Sequence, residues 1–283
     1  MYDFSEIRVE DAVLPPYDFM PARDGTRLAV RRYRSPANVV VLAIHGSSAE
    51  GRYFHAMATA LAPCAETWAL DLRGHGASGG RRGDVDYIGQ LEDDIDDVLA
   101  AIRAARPSAK IVLLGHSSGG GLVVRFAGTR RVGVDGWVLL APFLGHDAPT
   151  TRPGSGGWAR VDVAALDDVL CGKSGHERVV IHFDKPESVR TGREVLAYTF
   201  RMMVSLAPRA DLASDLAGLT APLVIAGDRD ESFWPNAYEP LIGPIAGGVF
   251  CVLAGVTHLG VVTSPHTFAE IARIAMVLGG ESR

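Results

Sequence analysis

The order of apolar runs along this chain predicts an α/β protein: a mostly parallel sheet flanked by helices, with one inserted segment. Short β-branched and aliphatic runs alternate with longer stretches of helical periodicity, the pattern of strands joined by helices. One run, from Val39 to Ile44, is apolar at every position, as a strand covered on both faces requires. The length of 283 residues, with 47% hydrophobic and 22% charged side chains, suits one large domain with an ample core.

In chain order, residues 17–23 and 28–33 read as a strand pair joined at the Asp24-Gly25 turn. The central strand follows at 39–44 and ends in His45-Gly46. Further strands are expected at 67–70, 111–114, 137–141, 222–226 and 249–253. Between them, Leu91, Ile95, Val98, Leu99 and Ile102 share one face of a helix spanning 87–105. Its opposite face carries Asp93, Asp94, Asp96 and Asp97 and is expected to be solvated. Phe268, Ile271, Ala275 and Leu278 form a similar stripe closed by Gly279-Gly280.

Residues 144–211 break the alternation, with a Gly-, Pro- and Ser-rich patch at 149–157 and one helix expected at 194–206. No strand–helix–strand rhythm runs through this stretch. The expected organisation is a core from 1–143 and 212–283, with 144–211 inserted over the sheet as a cap.

The net charge of -5 is spread along the chain, which excludes the basic footprint of a nucleic-acid binder. Three distant cysteines, Cys64, Cys171 and Cys251, suit reduced thiols better than a disulfide framework. The first residues are acidic and lack the apolar run of a secretory signal, and no stretch reaches membrane-spanning length. A soluble cytoplasmic protein is expected. Cys171, His176 and His182 fall within a short span, but their spacing matches no tetrahedral zinc motif.

The chemistry concentrates in Gly115-His116-Ser117-Ser118-Gly119. This G-x-S-x-G sequence follows an apolar strand and opens a glycine-rich helix, the context of a nucleophile elbow. A serine hydroxyl needs a base to take its proton, and imidazole suits that task near neutral pH. His258 lies on a loop after the last expected strand; His266, beyond Pro265, is second choice. An acid is expected after the strand at 222–226, where Asp228, Asp230 and Glu231 crowd together. The turn the chain must make at Gly227 points to Asp230, with Asp228 the runner-up and able instead to brace the turn; spacing alone leaves both open, and the preference for Asp230 leans on a family motif. Negative charge on the substrate oxygen would be met by the backbone N–H groups of Ser47 and Ser118. His45 and His116 are expected to brace and pack rather than react.

Together these motifs resemble the α/β-hydrolase superfamily, within it the monoacylglycerol lipase and lysophospholipase-like (serine aminopeptidase-like) branch. Asp24-Gly25-x-x-Leu28 resembles the opening hairpin of that branch, and His45-Gly46 with Arg52-Tyr53-Phe54 its oxyanion loop and first helix. Asp71-Leu72-Arg73-Gly74-His75-Gly76-Ala77-Ser78-Gly79 is similar to its D-x-R-G-H-G-x-S-x-G turn, so Asp71 and His75 are read as structural. Gly227-x-x-Asp230 resembles the acid motif and Gly255-x-x-His258 the histidine loop. The likeness covers 17–141 and 211–278. It implies an α/β-hydrolase fold, no cofactor, a cap above Ser117, and hydrolysis of a small acyl ester or thioester through an acyl-enzyme. Phe143, Met202, Met203 and Phe233 are expected to line the acyl pocket, with Phe200 and Leu206 adding apolar surface. A medium-chain ester, such as a monoacylglycerol, a lysophospholipid or a smaller carboxylic ester, is the expected substrate, with transient lipid contact through the cap. An acyltransferase, a cofactor-free haloperoxidase or a carbon–carbon bond hydrolase would keep the same three residues. A small-molecule receptor would keep only the fold.

Overall fold

The structure, a computed structural model, describes residues 2–129, 133–154 and 157–280. Its first two strands form the expected hairpin: β1 (Tyr17–Pro21) and β2 (Arg27–Tyr33) are antiparallel, with Tyr17 opposite Arg31. β3 (Val39–Ile44), α1 (His55–Leu61), β4 (Glu66–Leu70), α2 (Gln90–Ala105), β5 (Lys110–His116), α3 (Ser118–Gly128) and β6 (Gly136–Leu140) continue the alternation. A segment with its own small sheet follows, comprising β7 (Ala159–Val161), α4 (Val163–Leu170), β8 (Val179–Phe183), β9 (Ala197–Thr199) and α5 (Phe200–Ser205). α6 (Leu212–Leu216), β10 (Leu223–Arg229), α7 (Glu239–Ile242), β11 (Val249–Thr257) and α8 (Pro265–Gly279) return the chain to the main sheet.

The eight-stranded sheet runs β1-β2-β4-β3-β5-β6-β10-β11, parallel from β4 onward. All six positions of β3 are buried, which accounts for its unbroken apolar run. Helices cover both faces, and Leu91, Ile95, Val98 and Ile102 of α2 are fully buried, as is Ile271 of α8. Burying each such side chain contributes roughly 1.5–3 kcal/mol, which holds these helices against the sheet. The order reverses between β3 and β5, and a crevice at the carboxyl ends of the strands lies at such a switch point. Gly115 of β5 stands opposite Ile44 of β3, and His116 opposite Leu140 of β6. The loops after β3 and β5 therefore meet at one edge.

Two expectations need correction. The acidic face of α2 is an ion-pair seam rather than open surface. Asp94 is buried and receives Arg73 through both carboxylate oxygens at 2.9 and 2.6 Å, while Asp93 and Asp97 each pair with Arg23 at 3.0 Å. Helical spacing gathers these carboxylates on one face, but their cations come from distant loops. The stretch at 194–206 is helical only in α5, and Ala197–Thr199 forms β9 instead. β7, β8 and β9 make an antiparallel sheet, so the segment after β6 has more regular structure than expected. Strands of three to five residues are too short to show a period in sequence. Thr199 ends β9 and caps α5, its hydroxyl accepting from the Met202 amide at 3.3 Å. Ser155 and Gly156, within the Gly- and Pro-rich patch, lie outside the described residues. Among the described residues, no helix is long and apolar enough to cross a membrane.

Asp84, in the loop between β4 and α2, ties this segment to the sheet. Its carboxylate accepts from Arg201 Nε and Nη2, both at 2.7 Å, and from the Thr199 hydroxyl at 2.7 Å. Burial acts to raise the Asp84 pKa, but the hydrogen bonds from Arg201, Thr199 and Arg81 outweigh it and hold it below the usual carboxylate range. Asp84→Ala should cost about 1–3 kcal/mol in urea denaturation, since charge-assisted hydrogen bonds are lost and Arg201 keeps only a carbonyl partner. A variant as stable as the parent would show that this pairing contributes nothing.

Candidate active site

β5 carries Gly115 and His116 to its end and α3 begins at Ser118, leaving Ser117 alone at the turn with φ 54° and ψ −122°. A non-glycine residue there stores of order 1–3 kcal/mol, so its surroundings must hold it. They do so through the backbone. The Ser117 amide donates to the Leu140 carbonyl at 2.9 Å, and the Ser117 carbonyl accepts from Gly121 at 3.1 Å and Phe143 at 2.8 Å. Space is equally tight. A Cβ on Gly119 would sit 2.4 Å from the carbonyl oxygens of Ile44 and His45, and one on Gly115 would sit 2.4 Å from that of Gly119. The two glycines of the motif let β5, α3 and the end of β3 approach this closely.

The structure brings Ser117, His258 and Asp230 together. His258 follows directly on β11, and its Nε2 lies 3.0 Å from Ser117 Oγ. Its Nδ1 lies 2.8 Å from Asp230 Oδ2. A carboxylate can only accept, so Nδ1 carries the proton and Nε2 is left to receive one from the serine hydroxyl. Asp230 is buried, and its Oδ1 accepts from the Ser232 and Phe233 amides at 2.8 Å each. The neighbouring acids do other work. Exposed Asp228 accepts from the Gly255 amide at 2.7 Å and braces the histidine loop; Glu231 accepts from the His258 amide at 3.0 Å. His266 is exposed on α8.

The loop after β3 is held by histidines and tyrosines. The Gly46 amide donates to the Tyr53 hydroxyl at 2.7 Å, which donates to His116 Nδ1 at 3.0 Å. His116 Nε2 in turn donates to the His258 carbonyl at 3.1 Å. A parallel relay runs from the Ser48 amide to the Tyr198 hydroxyl at 2.8 Å, then from that hydroxyl to His75 Nε2 at 2.7 Å. His45 Nε2 accepts from the Leu72 amide at 3.0 Å. Burial pushes His45 down to about 4 and His75 and His116 well below the usual histidine value, so all three are neutral braces. Asp71 accepts from the Gly51 and Ala77 amides at 2.7 and 2.8 Å, bracing its own turn. These relays fix the loop that carries Ser47, whose hydroxyl donates to Ser118 Oγ at 2.9 Å. Ser118 is the first residue of α3, where helices leave backbone N–H groups unpaired.

An apolar cavity of about 90 Å³ opens beside Ser117, walled by Phe143, Trp158, Ile181, Phe183, Met203, Leu206 and Phe233. Met202 does not reach it; α5 turns that side chain into the core, where it is fully buried. Phe200 is half-buried against the ring of His176, 5.0 Å away, and is likewise not part of the wall. A second cavity of about 230 Å³ lies between residues 7–11, 48–53 and 185–194, lined by the charged groups of Glu50, Arg52, Lys185 and Glu194. Burial lowers the Lys185 pKa against the opposing pull of Glu194, whose Oε1 lies 3.5 Å from its Nζ. A narrow space lined by Ser47, Ser48, Ser117, Lys185 and His258 lies between the two. Cys171 is exposed, His182 lies in β8, and among the described residues no group of three or more His, Cys, Asp or Glu could hold a metal ion.

Several of these residues carried no signal in the sequence. Tyr2 stacks on His258, Tyr198 holds the Ser48 amide, and Trp158 and Lys185 wall the two cavities. Only contacts across the fold assemble them.

Against known proteins, the family described as "Serine aminopeptidase, S33" matches residues 35–237. A monoacylglycerol lipase of Mycolicibacterium smegmatis is 31% identical over 209 residues, covering 69% of this chain and 71% of that protein. Lipase LipV of Mycobacterium tuberculosis is 30% identical over 165 residues, covering 50% of this chain and 60% of that protein. Among solved structures, a soluble variant of the Saccharomyces cerevisiae monoglyceride lipase aligns with a TM-score of 0.72 over 98% of both chains. At 15% identity that likeness shows the fold.

Gly119→Ala forces a methyl against two backbone carbonyls and should destabilise by about 1–3 kcal/mol in chemical denaturation. A neutral effect would mean that the strand ends are not packed as closely as described.

Proposed function

This chain belongs to the serine aminopeptidase S33 family of α/β-hydrolases, and we propose that, as a carboxylic-ester hydrolase, it works through Ser117, His258 and Asp230. The observation that carries this reading is the unbroken line from Asp230 Oδ2 through His258 to Ser117 Oγ, at 2.8 and 3.0 Å. Ser117 Oγ attacks the ester carbonyl carbon while its proton passes to His258 Nε2. Asp230 holds the tautomer and stabilises the imidazolium. The substrate oxygen, now negative, accepts from the backbone N–H groups of Ser47 and Ser118. Collapse expels the alcohol, which takes the proton from Nε2 and leaves an acyl group on Ser117. Water then attacks, gives a proton to Nε2, and releases the carboxylic acid as Oγ regains its hydrogen.

In this reading residues 144–211 form a cap that closes the acyl side of the site through Trp158, Ile181, Phe183, Met203 and Leu206. The acyl chain lies in the apolar cavity, and the alcohol faces the charged cavity at Lys185 and Glu194, which suits a polar leaving group such as glycerol. Ligand cavities for drug-sized molecules run to roughly 300–1,000 Å³. The acyl cavity here is near 90 Å³, which favours the shorter chains within the range of monoacylglycerols, lysophospholipids and smaller esters. We place the enzyme in the cytoplasm, touching lipid transiently when its substrate is one.

Ser117→Ala should abolish labelling by a fluorophosphonate and cut p-nitrophenyl ester hydrolysis by at least about 10³-fold. Asp230→Asn should lose about 10⁴-fold in kcat, and Asp228→Asn much less. The reverse order for the two aspartates would reassign the acid. Across p-nitrophenyl acetate to decanoate, kcat/KM should peak at butyrate or hexanoate. Indifference to chain length, with peptide amides cleaved instead, would reject the ester reading. Product formed mainly by transfer to an added alcohol would make the protein an acyltransferase.

A further inference from the structure

We infer that Tyr2 is a positioning residue for His258, clamping the imidazole from a segment at the opposite end of the sequence. The Tyr2 ring lies on the His258 ring with centroids 5.0 Å apart and planes 12° apart. Both side chains are buried. Hydrogen bonds through Nδ1 and Nε2 fix the axis of the imidazole but leave it able to rock about that axis. Rocking spoils the aim of Nε2 at Ser117 Oγ, because hydrogen bonds weaken as they bend. Three rings oppose it. Tyr2 covers one face, Phe233 meets the imidazole edge-on at 5.2 Å and 67°, and His116 packs at 4.8 Å. Phe233 and His116 adjoin Asp230 and Ser117 in sequence, whereas Tyr2 is brought in from elsewhere.

The Tyr2 hydroxyl hydrogen-bonds to that of Ser232, whose amide donates to Asp230 Oδ1 at 2.8 Å. One side chain therefore spans the histidine and the loop of its acid. The segment that carries Tyr2 is anchored along its length. Thr257 donates from its hydroxyl to Glu6 at 2.5 Å, and Arg52 donates to the Val9 carbonyl and pairs with Asp11 at 2.9 Å. Phe4 and Trp158 pack edge-on at 5.9 Å, and Tyr2 touches Trp158 at 5.3 Å. The aromatic face adds a second effect. When His258 accepts the serine proton it becomes a cation, and a tyrosine face stabilises a cation within about 6 Å of its ring. That gain exists in the transition state and not in the resting enzyme, so it appears in kcat.

This role rests on His258 being the proton carrier proposed above. Tyr2, Phe4 and Leu259 form a small cluster of their own that meets the main core through Ile7 and Trp158, and Tyr2→Phe keeps its ring in that cluster. The test compares wild type, Tyr2→Ala and Tyr2→Phe, measuring kcat and KM for p-nitrophenyl butyrate and the rate of inactivation by a fluorophosphonate. Tyr2→Ala should lower kcat and the inactivation rate by at least about tenfold, more than KM changes, and Tyr2→Phe should restore both to within about threefold of wild type. Wild-type kcat in Tyr2→Ala, a loss confined to KM, or Tyr2→Phe no better than Tyr2→Ala would overturn the inference. A wild-type protein that reacts with neither reagent would instead overturn the reading of His258, and this role with it.

Discussion

A serine held at φ 54° between β5 and α3 is the constraint from which the rest of the site follows. Its conformation is unfavourable in isolation, and only the surrounding sheet maintains it. β6 supplies an acceptor for its amide, α3 and the loop after β6 supply donors to its carbonyl, and β3 ends hard against Gly119. A buried, parallel sheet centre is therefore a condition of the site as well as of stability. The hydroxyl stands at the carboxyl edge because the sheet leaves the turn nowhere else to go.

Around that turn, the buried histidines divide the electrical labour. His45, His75 and His116 are kept neutral by burial, and each spends its ring nitrogens on backbone or tyrosine partners. None adds a charge beside His258. The two tyrosine relays have a mechanical consequence. Tyr53 joins the loop after β3 to the carbonyl of His258, and Tyr198 joins the same loop to the segment between β6 and β10. Movement of β9 would thus be felt at Ser48, one residue from Ser47. The two cavities complete the division: apolar walls beside Ser117, and a charged cavity lined by Glu50, Arg52, Lys185 and Glu194 among others beyond the narrow space at His258.

Local spacing in the sequence carried the sheet strands and the turn at Ser117, because each depends on neighbours a few residues away. The apolar run at 39–44 and the glycines flanking Ser117 state their own reasons. The carboxylate that faces His258 was harder to find: Asp228, Asp230 and Glu231 differ only in where a bend at the end of β10 aims them, which spacing does not encode. β10 shifts register between Gly227 and Arg229, and the turn at Asp230 follows. Long-range partners were illegible altogether. Tyr2 meets Ser232 across 230 residues, and Ser48 meets Tyr198 across 150. Nothing in a run such as Ala197-Tyr198-Thr199 announces either a strand or a hydrogen bond to a distant loop. Asp94 shows the same gap, since a helix-face carboxylate reads as solvated until its arginine is seen.

The proposed role of Ser117 requires that it become acylated during turnover. The direct measurement is to quench the protein with acid while it hydrolyses an excess of p-nitrophenyl ester, digest it, and locate any added acyl mass by peptide mass spectrometry. One acyl group is expected, on the peptide containing Ser117 and on that residue. An acyl group found on a different side chain, or steady turnover with no covalent adduct trapped at any time, would contradict it.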